Sequence, residues 1–261
     1  MNELTNIDAA NWRAKLELGL TGRDDKTVLS HRKSFGPLVV QKPFYPEGDV
    51  CHIYILHPPG GIVGGDQIEL EITASGKAHG LITTPGAAKF YRSKGKVARV
   101  RQTLTVEAGS TLEWLPQETI YFNESYINAK TRINLEQGAQ FLGWEIGCFG
   151  RPASDECFLQ GEICQSFEIW RAGQPLFIDR AKLTGGDDVF EAHWGLQAYR
   201  TSGIFILTSA TNDTLLKANE ALGELENDAG IISVSLIGDV LFCRALAEQA
   251  EWVKNRFTAL W

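Results

Sequence analysis

The stretch YINAKTRINL, Tyr126 to Leu135, sets Ile127, Ala129, Thr131, Ile133 and Leu135 against Tyr126, Asn128, Lys130, Arg132 and Asn134. Period-two alternation of this kind is the pattern of a strand with one face buried and the other in water. The pattern recurs along the chain. Trp12, Ala14, Leu16, Leu18 and Leu20 stand against Arg13, Lys15 and Glu17. Ile68, Leu70 and Ile72 alternate with Glu69 and Glu71, and Val100, Leu104 and Val106 alternate with Arg99, Arg101, Thr103 and Thr105. Turn signals separate these runs: PEGD at 46–49, ASG at 74–76, AGS at 108–110, EQG at 136–138 and RAG at 171–173.

Helical spacing is confined to the C-terminal part. Thr211 or Asn212 can cap a segment whose apolar stripe is Leu215, Leu216, Ala218, Leu222 and Leu225. A second stripe is Leu246, Ala250, Val253 and Phe257, so both helices are expected after residue 205. No linker rich in proline, glycine or serine divides the chain, and no fixed-period repeat is visible. The expected fold is mainly β: a single domain over residues 1–261, irregular β-helical or sandwich-like, with two helices toward the C-terminus. Periodicity alone does not choose between a sandwich and a flattened β-helix.

The composition narrows the function classes. A chain of 261 residues with 44% hydrophobic and 22% charged residues can bury a sizeable core. Its net charge of -7 argues against sequence-independent nucleic-acid binding. No apolar stretch is long enough for a membrane span, because Ala229 to Ala247 is broken by Asp239 and Arg244. The N-terminal MNELTNIDAANWRAK has no basic start followed by an apolar run, so no secretory leader is expected. Five scattered cysteines fit reduced thiols better than a disulfide framework, which points to the cytoplasm.

HPPGGIVGGD, His57 to Asp66, follows the apolar run HIYIL and raises the question of a phosphate loop. The spacing excludes one. Gly65 is followed by Asp66 instead of Lys-Ser/Thr, and G-x-G-x-x-G is absent. The remaining reading is a backbone device, with prolines stiffening the approach and glycines allowing positive φ or close chain contact. There is no G-x-S-x-G, C-x-x-C, H-x-H or H-E-x-x-H, so no nucleophile elbow and no permanent metal site is expected. One charged segment stands out. Ile72 to Val106 contains no acidic residue but carries Lys77, Lys89, Arg92, Lys94, Lys96, Arg99 and Arg101. Such a run is either a solvated face or a surface that steers an acidic protein partner.

Five blocks in register carry a family resemblance: HPPGGIVGGD, LITTPGAAKFYRS (81–93), EWLPQETIYF (113–122), LGWEIGCFGRPASDE (142–156) and EIWRAGQPLFIDR (168–180). Together they resemble the urease accessory protein UreD (UreH) family over roughly residues 12 to 205. Asp155 stands where that family often has glycine, and Asp tolerates turn geometry. Relatives are expected to continue for a further segment beyond the position of Trp261.

The resemblance implies a non-enzyme with an irregular β-helical body. It implies a cytoplasmic scaffold in urease maturation whose partners are the urease apoprotein, UreF and, through UreF, the GTPase UreG. No cofactor is expected to be permanently bound. Transient Ni²⁺ is expected to pass through an internal channel, and release requires weak oxygen or imidazole ligands. The candidate route residues are Asp66, Thr83, Thr84, Glu145 and Glu168. The candidate partner-binding residues are Lys89, Arg92, Lys94, Lys96, Arg99 and Arg101; neither nucleic acid nor membrane is an expected partner. Two competing readings are a carbohydrate-active hydrolase using Glu145 and Asp155, and a plain protein-binding β domain.

Overall fold

The computed structural model describes residues 12–225 and 229–261. Most of the N-terminal stretch read for a leader therefore lies outside the described residues. Strands β1 (Arg13–Arg23), β2 (Lys26–Phe35) and β3 (Val39–Val40) lead into β4 (Cys51–Leu56), β5 (Gln67–Ser75) and β6 (His79–Thr83). Next come β7 (Ala88–Phe90), β8 (Ala98–Val106), β9 (Thr111–Leu115), β10 (Thr119–Tyr121), β11 (Ser125–Leu135) and β12 (Gln140–Arg151). The chain continues through β13 (Glu156–Cys157), β14 (Gly161–Arg171), β15 (Gln174–Thr184) and β16 (Thr201–Thr208). It closes with α1 (Asn212–Gly223), β17 (Gly230–Ile237), β18 (Val240–Ala247) and α2 (Ala250–Leu260).

From β4 to β14 the chain crosses repeatedly between two sheets, so it winds as an irregular β-solenoid. One sheet has seven strands in the order β15-β14-β11-β8-β5-β1-β2. The other has eleven, with the main path β17-β18-β16-β12-β9-β6-β4-β3. The central pairs β1–β5, β5–β8, β8–β11 and β11–β14 are all parallel, as are β4–β6, β6–β9 and β9–β12. Parallel pairing settles the choice that periodicity left open, because a sandwich of hairpins would pair antiparallel.

The alternating stretch that marks the sequence as β lies at the middle of this winding. Parallel registry stacks Leu18, Ile72, Leu104, Ile133 and Ile169 into one row across five strands, each no more than 2% exposed. Burying each such side chain stabilises the fold by about 2 kcal/mol relative to leaving it in water. A second ladder closes the short third side, where β7 pairs with β10 and β10 with the end of β12. There Phe90 stacks on Tyr121 with centroids 5.6 Å apart, and Tyr121 on Phe149 at 5.8 Å.

Both helices follow residue 205, as expected. Thr211 caps α1 by accepting from the Thr214 backbone N–H. Leu215, Ala218 and Leu222 face the core, whereas Leu216 points to solvent and Leu225 lies past the helix end. The second predicted stripe needs one correction. Leu246 belongs to β18, paired to β16 and β17, and its four-residue spacing from Ala250 spans a strand–helix boundary. Val253 and Phe257 of α2 are fully buried against Trp144 and Phe205.

Candidate functional site

The glycine-rich loop crosses from β4 to β5, between the two sheets. Gly60 and Gly65 take φ of +77° and +98°, which glycine adopts without strain. A Cβ on Gly61 would lie 2.1 Å from the Tyr91 ring, so the loop and the 91–97 segment pack backbone to side chain. Ile62 N–H donates to Lys89 O and Tyr91 N–H to Ile62 O, tying the loop to the next turn of the solenoid. Val63 N–H donates to Asp66 Oδ2 and Gly65 N–H to Val97 O, so these loop donors also serve the fold.

Asp66 ends this loop at 5% exposure. Its Oδ1 accepts from Trp12 N–H at 3.0 Å and its Oδ2 from Val63 N–H at 2.9 Å. Both oxygens thus hold backbone in place. Thr83 donates to Leu115 O at 2.6 Å, and Thr84 Oγ1 accepts from Gln117 N–H at 3.0 Å.

Between the sheets lies a cavity of about 410 Å³. Exposed loop residues Pro58, Gly60, Pro85 and Gly86 line one end, with half-buried His57, Thr84 and Lys89 beside them. The inner end is lined by Gln102, Thr131, Glu145 and Gln165. Of the five route candidates, Thr84 and Glu145 line this cavity; Asp66, Thr83 and Glu168 stand outside its lining.

The inner end shows why Glu145 sits where it does. Along β12, Phe141, Gly143, Glu145, Gly147 and Phe149 share one face by strand alternation, and Phe141 and Phe149 belong to the solenoid core. A Cβ on Gly143 would lie 2.7 Å from the Phe141 ring and one on Gly147 3.1 Å from the Tyr121 ring, so the two glycines let aromatic rings pack closely beside the carboxylate. Glu145 reaches across to the opposite sheet, where Thr131 Oγ1 donates to its Oε1 at 2.6 Å and Gln165 Nε2 to its Oε2 at 2.8 Å. Burial pushes the Glu145 carboxyl above the usual carboxylate range; the two hydrogen bonds oppose that shift and the charge of Asp179 adds to it. Burial likewise raises the neighbouring Tyr121 phenol and lowers the His57 imidazole, the latter against the charge of Asp66. Trp114 on the same wall is buried, and its indole N–H has no acceptor among the described residues. The cavity is therefore apolar-walled, with one carboxylate and a few amide, hydroxyl and ring groups pointing into it.

Glu168 occupies a different setting, on the outer face of the seven-stranded sheet but only 1% exposed. Its oxygens meet Arg180 at 2.9 Å, Lys130 at 3.5 Å, Ser166 at 2.9 Å and Trp170 Nε1 at 3.1 Å. Burial opposes ionisation, yet the bonds from Arg180, Ser166 and Trp170 and the charge of Lys130 hold its pKa down to about 2. This carboxylate anchors a cluster of cations.

Arg92, Lys94, Lys96, Arg99 and Arg101 are exposed, while Lys89 is half-buried at the cavity mouth. Arg92, Lys94 and Lys96 sit on the 91–97 connection; Arg99 and Arg101 point outward from β8. Lys130 stands beside Arg101 in registry, so the basic surface continues toward the cluster around Glu168. Asp155 is exposed at φ +52°, a left-handed turn position suited to Asp, Asn or Gly. It is not part of the cavity lining, so the fold does not assemble the Glu145–Asp155 pair that a hydrolase would need.

Among the described residues, no helix is long and apolar enough to cross a membrane, and no group of three or more His, Cys, Asp or Glu side chains is placed to hold a metal ion. The family model for the UreD urease accessory protein matches residues 13–261. The chain is 46% identical to the urease accessory protein UreD of Alcanivorax borkumensis, covering 96% of this chain and 86% of that protein. It is 41% identical to the urease accessory protein UreD of Nostoc, covering 98% and 92%, and 40% identical to that of Citrobacter koseri, covering 96% and 85%. A solenoid enclosing a carboxylate-bearing cavity, matched over nearly its whole length to these proteins, belongs to the UreD urease accessory protein family.

Proposed function

We propose that this chain is a non-catalytic, cytoplasmic scaffold of urease maturation that binds the urease apoprotein and UreF and passes Ni²⁺ through the cavity between its sheets. UreF in turn recruits the GTPase UreG. The observation that carries the ion route is Glu145: a half-buried carboxylate at the inner end of a cavity whose other end is lined by exposed loop residues. A lone carboxylate with hydroxyl and amide neighbours attracts a divalent cation without the three or four strong ligands that would retain it. Thr84, Lys89 and His57 stand at the outer end, where the ion would enter or leave.

Gly86 offers a direct test. A Cβ added there meets nothing within 4 Å, and its φ lies outside the left-handed range, so a side chain is accommodated. Gly86→Arg places a cation at the cavity mouth and is expected to leave complex assembly intact while lowering urease nickel content several-fold. Gly86→Ala is expected to behave as wild type in both measurements. Full nickel loading in the arginine variant rules out that mouth as the route.

The scaffold role is tested on the basic segment. Arg92, Lys94 and Lys96 reversed together to Glu are expected to slow association with the partner proteins by about ten-fold at low salt, with the difference shrinking as ionic strength rises. Stopped-flow or surface-binding kinetics at two salt concentrations measure this. An unchanged on-rate at low salt makes the segment an ordinary solvated face.

A further inference from the structure

The outer strands of the two sheets are protected unequally. β2 carries Lys26, His31, Arg32 and Lys33. β15 carries Pro175, Asp179, Arg180 and Lys182. β3 is two residues long. Charges, prolines and short length are the usual means by which an edge avoids pairing with another chain. β17 has none of them. Its eight residues, GIISVSLI, are uncharged and proline-free, and among the described residues they pair on one side only, with β18. No backbone hydrogen bond from Ile231–Ile237 to any other element is present among the described residues.

The sequence of this edge is close to a palindrome. Around Val234, Ser233 mirrors Ser235, Ile232 mirrors Leu236, and Ile231 mirrors Ile237. Ile232, Val234 and Leu236 pack with Leu215 and Leu222 of α1 on the cluster built around Trp144, Phe205 and Phe257, while Ser233 and Ser235 are exposed. Ile231 is 41% exposed and Ile237 63%, and Leu216 of α1 is 62% exposed.

We infer that β17 pairs with the same strand of a second copy of this chain, antiparallel about a two-fold axis at Val234. Antiparallel pairing about that axis sets Ser233 opposite Ser235 of the second copy, Ile232 opposite Leu236, and Ile231 opposite Ile237. Every pair joins like with like, and both members always lie on the same face of the sheet, so the half-buried face continues across the axis. A foreign strand would need no such symmetry. The contact is isologous, so it closes at two copies and runs the eleven-stranded sheets together. This inference rests on the edge alone and stands or falls independently of the ion route.

The test uses the full chain in sedimentation velocity over a concentration series, with two double variants that carry the same number of changes. Ser233→Lys with Ser235→Lys sets lysine against lysine across the axis and is expected to raise the dimer dissociation constant about ten-fold or more. Ser233→Glu with Ser235→Lys sets Glu against Lys of the second copy and is expected to stay within about three-fold of wild type. Both sites are exposed, and matching thermal melts confirm that neither variant acts through the fold. Amide exchange in residues 231–237 should slow as wild-type concentration rises. A wild type that stays monomeric up to about 100 µM overturns the inference. So do two double variants that dissociate alike, species growing beyond two copies, or protection of this strand that appears only when a different protein is added.

Discussion

Glu145→Gln is expected to assemble with its partners normally and to deliver urease with about a tenth of the wild-type nickel, the equivalent of about 1.4 kcal/mol at the slow step of passage. Glutamine keeps the shape and leaves an oxygen to accept from Thr131; Gln165 meets the new amide by turning its own. What disappears is the charge. The same substitution should raise stability at neutral and alkaline pH. The Glu145 carboxyl is pushed above its ordinary value by burial, so the folded state favours the protonated form. Its favourable contribution is therefore complete below the unfolded pKa and is lost as pH rises through the folded pKa. The variant has no such loss, so its urea midpoint should exceed wild type at pH 8 and approach it near pH 4. A residue kept for stability would show the reverse order. Reduced stability at pH 8 together with normal nickel content would make Glu145 a structural cross-link between the sheets.

Much of the fold was legible in alternation. Leu16, Leu18, Ile72, Leu104, Ile133 and Leu135 are all buried where period two places them, because strand geometry sends alternate side chains to opposite faces. The direction of pairing was not legible. Alternation reads the same in a sandwich and in a solenoid, and the registered positions Gln67, Arg99, Asn128 and Cys164 recur at unequal intervals. The longest interval contains the short helical turn at Pro152–Ser154 and the exposed Leu159, an excursion that hides the repeat. Leu246 falls in helical phase with Ala250 by coincidence, because a strand there runs into a helix.

The site was legible only in part. Glu145 and Thr84 line the cavity, but Asp66 and Glu168 are carboxylates whose oxygens are taken up by backbone N–H groups and by cations. The sequence offers no sign of that difference, since hydrogen-bond partners come from distant strands. One signal for the cavity does stand in the sequence. Gln102 lies in phase with Val100 and Leu104, Thr131 with Ile127 and Ile133, and Gln165 with Ile163 and Phe167. Polar residues at inward positions of three neighbouring strands imply polar groups that need partners inside, and Glu145 is the group they surround.

Glu168→Gln should test the opposite role for a buried carboxylate, with an expected loss of about 2 kcal/mol in unfolding free energy at pH 7. The fall of its pKa from 4.5 to about 2 corresponds to roughly 3 kcal/mol by linkage, reduced here because Arg180, Lys130 and Arg132 are partly in water. The folded pKa is depressed, so the contribution is complete above the unfolded value and disappears as pH falls through the folded one. The gap between wild type and variant should therefore hold from pH 7 to about pH 5 and then close toward pH 2. Glutamine also leaves Arg180, Lys130 and Arg132 without their shared anion, and Arg132 keeps its stacking over Trp170 at 4.4 Å and its donation to Asn134 Oδ1 at 3.0 Å. Urea titrations at pH 7 and pH 3 measure the change, and urease nickel content is read from complex assembled below the variant's lowered melting point. Normal nickel per assembled complex with lower stability assigns Glu168 to the cation cluster. Unchanged stability with poor loading would move it onto the ion route, and would require the ion to cross the outer face of the seven-stranded sheet instead of the space between the sheets.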